Sequence, residues 1–319
     1  MAATALGSFC KDDELAVDLV MDAGALEPLV DLAKRWRENE GLYYLVVSAL
    51  AKMLHGAGRG HRDRAVALGL ARPLAACLSS ADAELVDVAS EGLSYLIDDV
   101  DNPEGRRTNT ALAEQIFSES PASQLVALIE AGSHADVSST PFEIAEALVL
   151  NLIPCVVVPA HQRVLLKAGL IPALLDAASP DPSPPRTVPR PAFDVLAYPA
   201  FDLLDKFLRE HVAVEAADAV AATRSGLDLL AAALSSDDPT VRETASRCVW
   251  AIALADPRHH KATVAAGAAP RLVALLVDED ADVKESAASA LLELMTTHPS
   301  VEEEALNAGF DFDALLAIT

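Results

Sequence analysis

Apolar positions along the chain recur in a fixed register. Three stretches, 74–96, 230–252 and 272–294, align without gaps. Leu74, Leu230 and Leu272 open them, and Leu78, Leu234 and Leu276 follow one turn later. After a polar break come Leu85, Val241 and Val283, then Ala89, Ala245 and Ala287. Leu93, Val249 and Leu291 are next, and Leu96, Ile252 and Leu294 close the pattern. In the second half the offsets step by four, four and three, which places these side chains on one stripe of a helix. The residue before Leu93, Val249 and Leu291 is small each time (Gly92, Cys248, Ala290), which lets a neighbouring helix approach closely. The polar break reads Ser79-Ser80-Ala81-Asp82, then Ser235-Ser236-Asp237-Asp238-Pro239, then Asp278-Glu279-Asp280-Ala281-Asp282. Ser and Asp there accept from the open N–H groups of the next helix, and Pro239 suits its first turn. Each unit is therefore predicted as a helix, a capped turn and a longer helix.

A shorter element precedes each pair and ends in a small residue or Leu followed by Gly: Ala23-Gly24, Leu68-Gly69, Ala168-Gly169, Ala266-Gly267 and Ala308-Gly309. Gly takes the left-handed conformation that stops a helix. From Gly24 to Gly69 is 45 residues and from Gly267 to Gly309 is 42. A three-helix unit at this spacing predicts an all-α repeat array.

The run Ala266-Gly267-Ala268-Ala269-Pro270-Arg271-Leu272-Val273-Ala274-Leu275-Leu276 resembles the armadillo consensus "A-G-x-x-P-x-L-V-x-L-L". Residues 168–175 and 23–30 repeat it, and Val283 to Leu291 is similar to the family's third helix. The resemblance spans nearly the whole chain. It implies an armadillo-type, right-handed superhelical repeat solenoid, with HEAT repeats as the runner-up because they share the period. Complete repeats are placed near 12–56, 61–100, 108–155, 159–210, 212–256 and 258–298 within one domain, 1–319, and 300–319 forms a final fragment. One insertion interrupts the array: residues 179–191 read S-P-D-P-S-P-P-R-T-V-P-R-P, a proline density that prevents helix and predicts an exposed loop. Docking of a proline-reading module there, or phosphorylation at Ser179 or Ser183, is the alternative to a plain linker.

Composition narrows the function. Hydrophobic residues make up 52% of 319 and aromatics 4%, which favours closely packed Ala/Leu helices over a sandwich. With 48 acidic and 24 basic side chains the formal charge is −24, which repels nucleic acid and anionic membrane and attracts a basic protein segment, the alternative being that it only keeps an Ala/Leu-rich chain soluble. Cys10, Cys77, Cys155 and Cys248 are scattered without a C-x-x-C pair and are expected as buried small residues in a reducing compartment. No secretory signal and no stretch of membrane-spanning length is visible, so a cytoplasmic or nuclear location is expected.

Searching for chemistry yields little. The histidines show no H-E-x-x-H and no Cys at ligand spacing, and His259 and His260 are expected to be solvated at the start of a first helix. His211 and Glu215 share a helix face and read as a surface pair. Gly56 to Gly60 lacks the strand and full spacing of a phosphate loop and reads as a connector. Asp98 to Gly105 has its Gly displaced and Pro103 at a ligand position, so the calcium-loop pattern fails. The expectation is a non-enzymatic binder with no cofactor and no metal.

The armadillo resemblance implies that third helices line a concave groove. The helices expected to do so are 84–97, 141–153, 241–254 and 283–296. In importin-α and β-catenin relatives a Trp and an Asn four residues later grip extended peptides. Trp250 matches that Trp, but Leu254 occupies the Asn position, and Asp98 and Thr296 are its equivalents; Asn151 alone resembles the ladder Asn. Candidate partner contacts are Tyr95, Asn151, Trp250 and Glu293, with simple core packing as the alternative for Trp250. A second resemblance is to the UCS-domain myosin chaperones. Glu91-Gly92-Leu93-Ser94-Tyr95-Leu96 is similar to their "E-G-L-A-Y-L", and Gly267, Arg271-Leu272 and Asp278-Glu279-Asp280 are similar to a late segment. It implies a co-chaperone of myosin motor domains. An Hsp70 nucleotide-exchange armadillo protein is a third possibility that no distinctive residue supports.

Overall fold

In the computed structural model, residues 14–35, 40–97, 103–119, 121–135, 139–179 and 191–319 are described. Cys10, the segment 98–102 with Asp98, and residues 180–190 of the Pro-rich insertion with Ser183 lie outside them. Every helix or strand assigned among the described residues is a helix. The chain divides into two compact units, Met1–Val157 and Val158–Thr319.

In the first unit the helices fall in threes. α1 (Glu14–Asp22), α2 (Leu26–Arg35) and α3 (Glu40–His55) form one group, and α4 (Arg59–Ala67), α5 (Ala71–Cys77) and α6 (Ala83–Leu96) the next. The third is α7 (Pro103–Phe117), α8 (Ala122–Ser133) and α9 (Thr140–Ala147). α9 runs on into a π-helical turn, Leu148–Leu152, and a 3-10 turn, Ile153–Cys155. Pro154 has no N–H to give the carbonyl one turn back, so the regular ladder cannot continue there. The buried Asn109 donates its Nδ2 to the Asn151 carbonyl at 3.1 Å.

The second unit repeats the scheme. Its groups are α10 (Pro159–Lys167), α11 (Leu170–Ala177) and α12 (Pro191–Arg209), then α13 (Ala213–Ala222), α14 (Gly226–Ala233) and α15 (Pro239–Ala255). α16 (His260–Ala265), α17 (Ala268–Leu275) and α18 (Ala281–Met295) follow, and α19 (Pro299–Asn307) and α20 (Phe312–Leu316) end the chain.

The stripes read from the sequence are core. Ala89, Ala245, Ile252, Val283, Ala287, Leu291 and Leu294 are completely buried, and Leu85, Leu93, Leu96, Val241 and Val249 nearly so. Each large apolar side chain buried in this way contributes about 1.5–3 kcal/mol. A Cβ on Gly92 would make an ordinary contact with Ala51 Cβ, at 3.4 Å, where α6 lies on α3. Cys77, Cys155 and Cys248 are buried. Burial pushes the Cys248 thiol well above its ordinary range.

Capping follows one register. Asp82, Asp238 and Asp280 occupy the same position of the three aligned stretches. Each accepts from the first turn of the helix that follows, through Glu84 N at 3.0 Å, Thr240 N at 2.9 Å and Asp282 N at 2.8 Å. Pro239 takes the first turn of α15. Gly24, Gly69, Gly169, Gly267 and Gly309 all adopt positive φ, from 79° to 97°, where the first helix of each group turns into the second. In the group α13–α15 Ser225 takes this role with φ 63°.

The expectation of solvated histidines at 259 and 260 is corrected. His260 is fully buried because its ring bridges two partners, Nδ1 to Thr297 Oγ1 and Nε2 to the Ala253 carbonyl at 2.9 Å. His259 is 8% exposed with Nε2 3.0 Å from Asp218 Oδ1. Glu215 pairs with Arg163 at 3.1 Å. No helix among the described residues is long and apolar enough to cross a membrane.

Candidate functional site

Third helices pair their buried stripe with an outward one, and in the second unit the outward stripes meet. On α15 Glu243, Arg247, Trp250 and Leu254 are spaced four, three and four apart, which puts them on one face. On α12 Asp202 and the buried Asp205 meet Arg247, with Arg209 one turn on, and α18 brings Asp282, Glu285, Ser286 and Ser289. Since α12, α15 and α18 pack in sequence, these faces form a continuous surface.

Asp205 organises it. Its carboxylate is 1% exposed, a position that an ionised group holds only when paired and hydrogen-bonded. Arg247 Nη2 donates to one oxygen, and Arg209 Nε donates to the other at 2.8 Å. Arg247 also lies 3.5 Å from Asp202 and 3.5 Å from Glu243. Burial opposes the charge of Arg247, but Asp205, Asp202 and Glu243 together hold its guanidinium above the ordinary range. Burial pushes the Asp202 carboxyl up, against the pull of Arg247. Held from Asp205, the Arg209 guanidinium stands 4.9 Å from the centroid of the Trp250 ring, a cation–π contact.

Trp250 and Arg209 then line two cavities. A groove of about 300 Å³ runs between α15 and α18, lined by Arg209, Arg247, Trp250, Glu243, Asp282 and Glu285, with Ser286 and Ser289. A second, open cavity of about 340 Å³ shares Arg209 and Trp250 and is lined also by Leu208, Ala213, Ala251, Leu254 and Ala255. Leu254 is 60% exposed at its edge.

The four residues singled out in the sequence are placed as follows. Trp250 is half-buried at the centre of this surface. Glu293 is half-buried on α18, one turn beyond Ser289, and does not line the groove. Tyr95 belongs to the first unit, half-buried on α6. Its hydroxyl donates to Glu91 Oε1 at 2.7 Å, its ring meets His55 edge-on at 4.9 Å, and its carbonyl accepts from Arg62 Nη1 at 3.3 Å. Burial and Glu91 push the Tyr95 hydroxyl above its ordinary range. Asn151 lies in the π turn, with its carbonyl engaged by Asn109. The stretch Glu91 to Leu96 thus has packing roles: Gly92, Leu93 and Leu96 are buried, and Glu91 receives the Tyr95 hydroxyl. Among the described residues no group of three or more His, Cys, Asp and Glu side chains is arranged to hold a metal ion.

Arg209, Arg247 and Asp205 escaped the sequence reading. Their signal is Asp205 itself, a carboxylate set in the apolar run Phe201-Asp202-Leu203-Leu204-Asp205-Lys206-Phe207-Leu208. A charge in the register of a buried stripe requires a cation from a neighbouring element.

Neither a protein-family model nor a curated protein sequence matches the chain. Among solved structures, an engineered protein is 20% identical over 86% of this chain and 97% of its own, with a TM-score of 0.55. A designed armadillo repeat protein is 18% identical over 84% of this chain and 99% of its own, with a TM-score of 0.54. A structure described under a conserved phosphorylation switch controlling the interaction between cadherin and β-catenin is 17% identical over 97% of this chain, with a TM-score of 0.66. The chain matches 52% of that structure's length. With three-helix groups, glycine-stopped first helices and these structural neighbours, the chain has the all-α armadillo-repeat fold.

Proposed function

We propose that this chain is a non-enzymatic scaffold that receives a segment of another protein on the third-helix surface of its second unit, with Trp250 at the contact. The observation that carries this reading is the outward stripe of α15. It places a half-buried Trp in the lining of two cavities, beside guanidiniums fixed in place by a buried carboxylate. Large aromatic and Arg side chains held in one geometry are the groups that dominate binding energy at protein interfaces. The fold neighbours support the same class of activity, since one of them is described by the interaction between cadherin and β-catenin.

The test is affinity capture from the source extract with the full chain and with Trp250→Ala, after helicity and melting have been compared. A partner retained by the parent chain and lost by a normally folded variant supports the scaffold. Equal capture by both removes Trp250 from the contact, and unfolding of the variant assigns the ring to the core. Myosin heavy chain as the Trp250-dependent partner would turn the general scaffold into the motor co-chaperone that the Glu91–Leu96 run suggests. Turnover in a hydrolase and transferase screen would overturn the non-enzymatic reading.

A further inference from the structure

We infer that the segment received at Trp250 is basic and carries an aliphatic anchor: the anchor enters the cavity beside Leu254, and Lys or Arg side chains next to it face Asp282 and Glu285. This rests on the scaffold reading and adds the chemistry of its partner.

Three observations lead to it. The first concerns what the site cannot do. Leu254, one turn after Trp250 on the outward face of α15, is 60% exposed and offers an incoming segment apolar surface and no side-chain hydrogen bond. Leu254 instead extends an apolar wall with Leu208, Ala213, Ala251 and Ala255, in which Arg209 supplies the polar group. Such a wall favours an apolar side chain of the partner, because burial of apolar surface is the available gain.

The second concerns charge. Arg209 and Arg247 already have their carboxylates, in Asp205, Asp202 and Glu243. Asp282 and Glu285 line the same groove, and among the described residues no basic side chain lies within 4.0 Å of either. Carboxylates outnumber guanidiniums on this surface, and the chain carries a net −24. A basic segment is drawn in at long range and an acidic one is repelled.

The third concerns the indole face. The Arg209 guanidinium, 4.9 Å from the ring centroid, already covers one side of Trp250. A cationic side chain of the partner therefore meets Asp282 and Glu285 and not that face of the ring.

The experiment selects random linear peptides displayed on phage against the full-length chain. Individual peptides are then measured against the parent, against Leu254→Ala, and against Asp282→Asn combined with Glu285→Gln. All three substituted positions are exposed, so the fold is retained. Enriched peptides should carry Lys or Arg beside Leu, Ile or Met. Leu254→Ala should weaken them about tenfold through loss of apolar burial. The double carboxylate variant should weaken them about fivefold at low salt and little at high salt. Enrichment of acidic or neutral peptides, basic peptides indifferent to both variants, or no enrichment at all would overturn the inference. If the natural partner still depends on Trp250 in the capture experiment, those outcomes reject the peptide chemistry and leave the scaffold standing. If that dependence is absent, both fall.

Discussion

Replacing Asp205 with Ala should be the most informative single perturbation of the second unit. The carboxylate is 1% exposed and accepts from two guanidiniums, so its removal leaves Arg247 and Arg209 without their buried counter-ion. Breaking a buried pair by deleting one partner costs about 3–5 kcal/mol. Here the loss falls near the lower end. Arg247 keeps Asp202 and Glu243 at 3.5 Å and its side chain is 29% exposed, so water and the two remaining carboxylates recover part of the interaction. Arg209 is 43% exposed and rehydrates readily. The expected destabilisation is therefore about 3 kcal/mol. A solenoid can unfold group by group, so the readout has to be local. Trp250 emission in a Trp36→Phe background, followed through urea unfolding, reports the second unit alone, because those are the two tryptophans of the chain. The double-mutant cycle with Arg247→Ala should give a coupling above about 1.5 kcal/mol. A loss below 1 kcal/mol, or a coupling near zero, would refute Asp205 as the organiser of the groove and leave Arg209 over Trp250 as an independent surface contact.

Three further outcomes follow from single positions. Gly132→Ala places a Cβ on Ala145 and on the Pro141 carbonyl, where α8 touches α9, and should destabilise the first unit by about 3 kcal/mol in urea unfolding followed by circular dichroism. Ser225→Gly relieves a left-handed serine where Gly serves in five other turns, and should stabilise by about 0.5–1 kcal/mol in the same assay. The Asp278 carboxyl is held below its ordinary range, first by the hydrogen bonds from Arg242, at 2.9 and 3.0 Å. A lowered carboxyl adds stability that is present above the unfolded-state value and is lost as pH falls through the folded one. The stability gap between the parent chain and Asp278→Asn should therefore be full at neutral pH and close in acid. A gap that widens in acid would reverse the assignment.

The skeleton of the fold was legible because its determinants are local. A capping aspartate needs only the N–H groups two and three residues on, and Asp82, Asp238 and Asp280 show the same register in the sequence and in the structure. A helix-stopping glycine needs only its own φ, and all five glycines read as stops have positive φ. Where a substitute did the same work without the expected letters, the sequence was silent: Ser225 takes the left-handed turn with no Gly to mark it. The π turn around Asn151 was equally hidden. Pro154, which ends the regular ladder, lies three residues downstream, and the donor to the Asn151 carbonyl comes from Asn109, 42 residues upstream.

The groove was illegible for a related reason. Its organising contact joins neighbouring three-helix groups, 42 residues apart for Asp205 with Arg247, and polar contacts elsewhere in the two units have similar separations: 36 for Arg242 with Asp278, 45 for Thr108 with Asp63, and 37 for His260 with Thr297. Hydrophobic periodicity reports which residues face inward, but not which polar residue a neighbouring group presents to them. The period gives the missing rule. An acid buried in one third helix should find its base about one period later, which from Asp205 leads to Arg247 and with it to the face that carries Trp250. The rule also explains why the histidines at 259 and 260 were misplaced. His260 looks polar and terminal within its own short helix. Thr297, almost one period downstream, and the Ala253 carbonyl just before it make burial favourable. In a chain whose stability is largely the sum of contacts between adjacent groups, such one-period polar pairs tie each group to the next. The pair of Asp205 with Arg247 is the one that joins two third helices, and it therefore also sets whether Arg209, Trp250 and Leu254 face the same incoming segment.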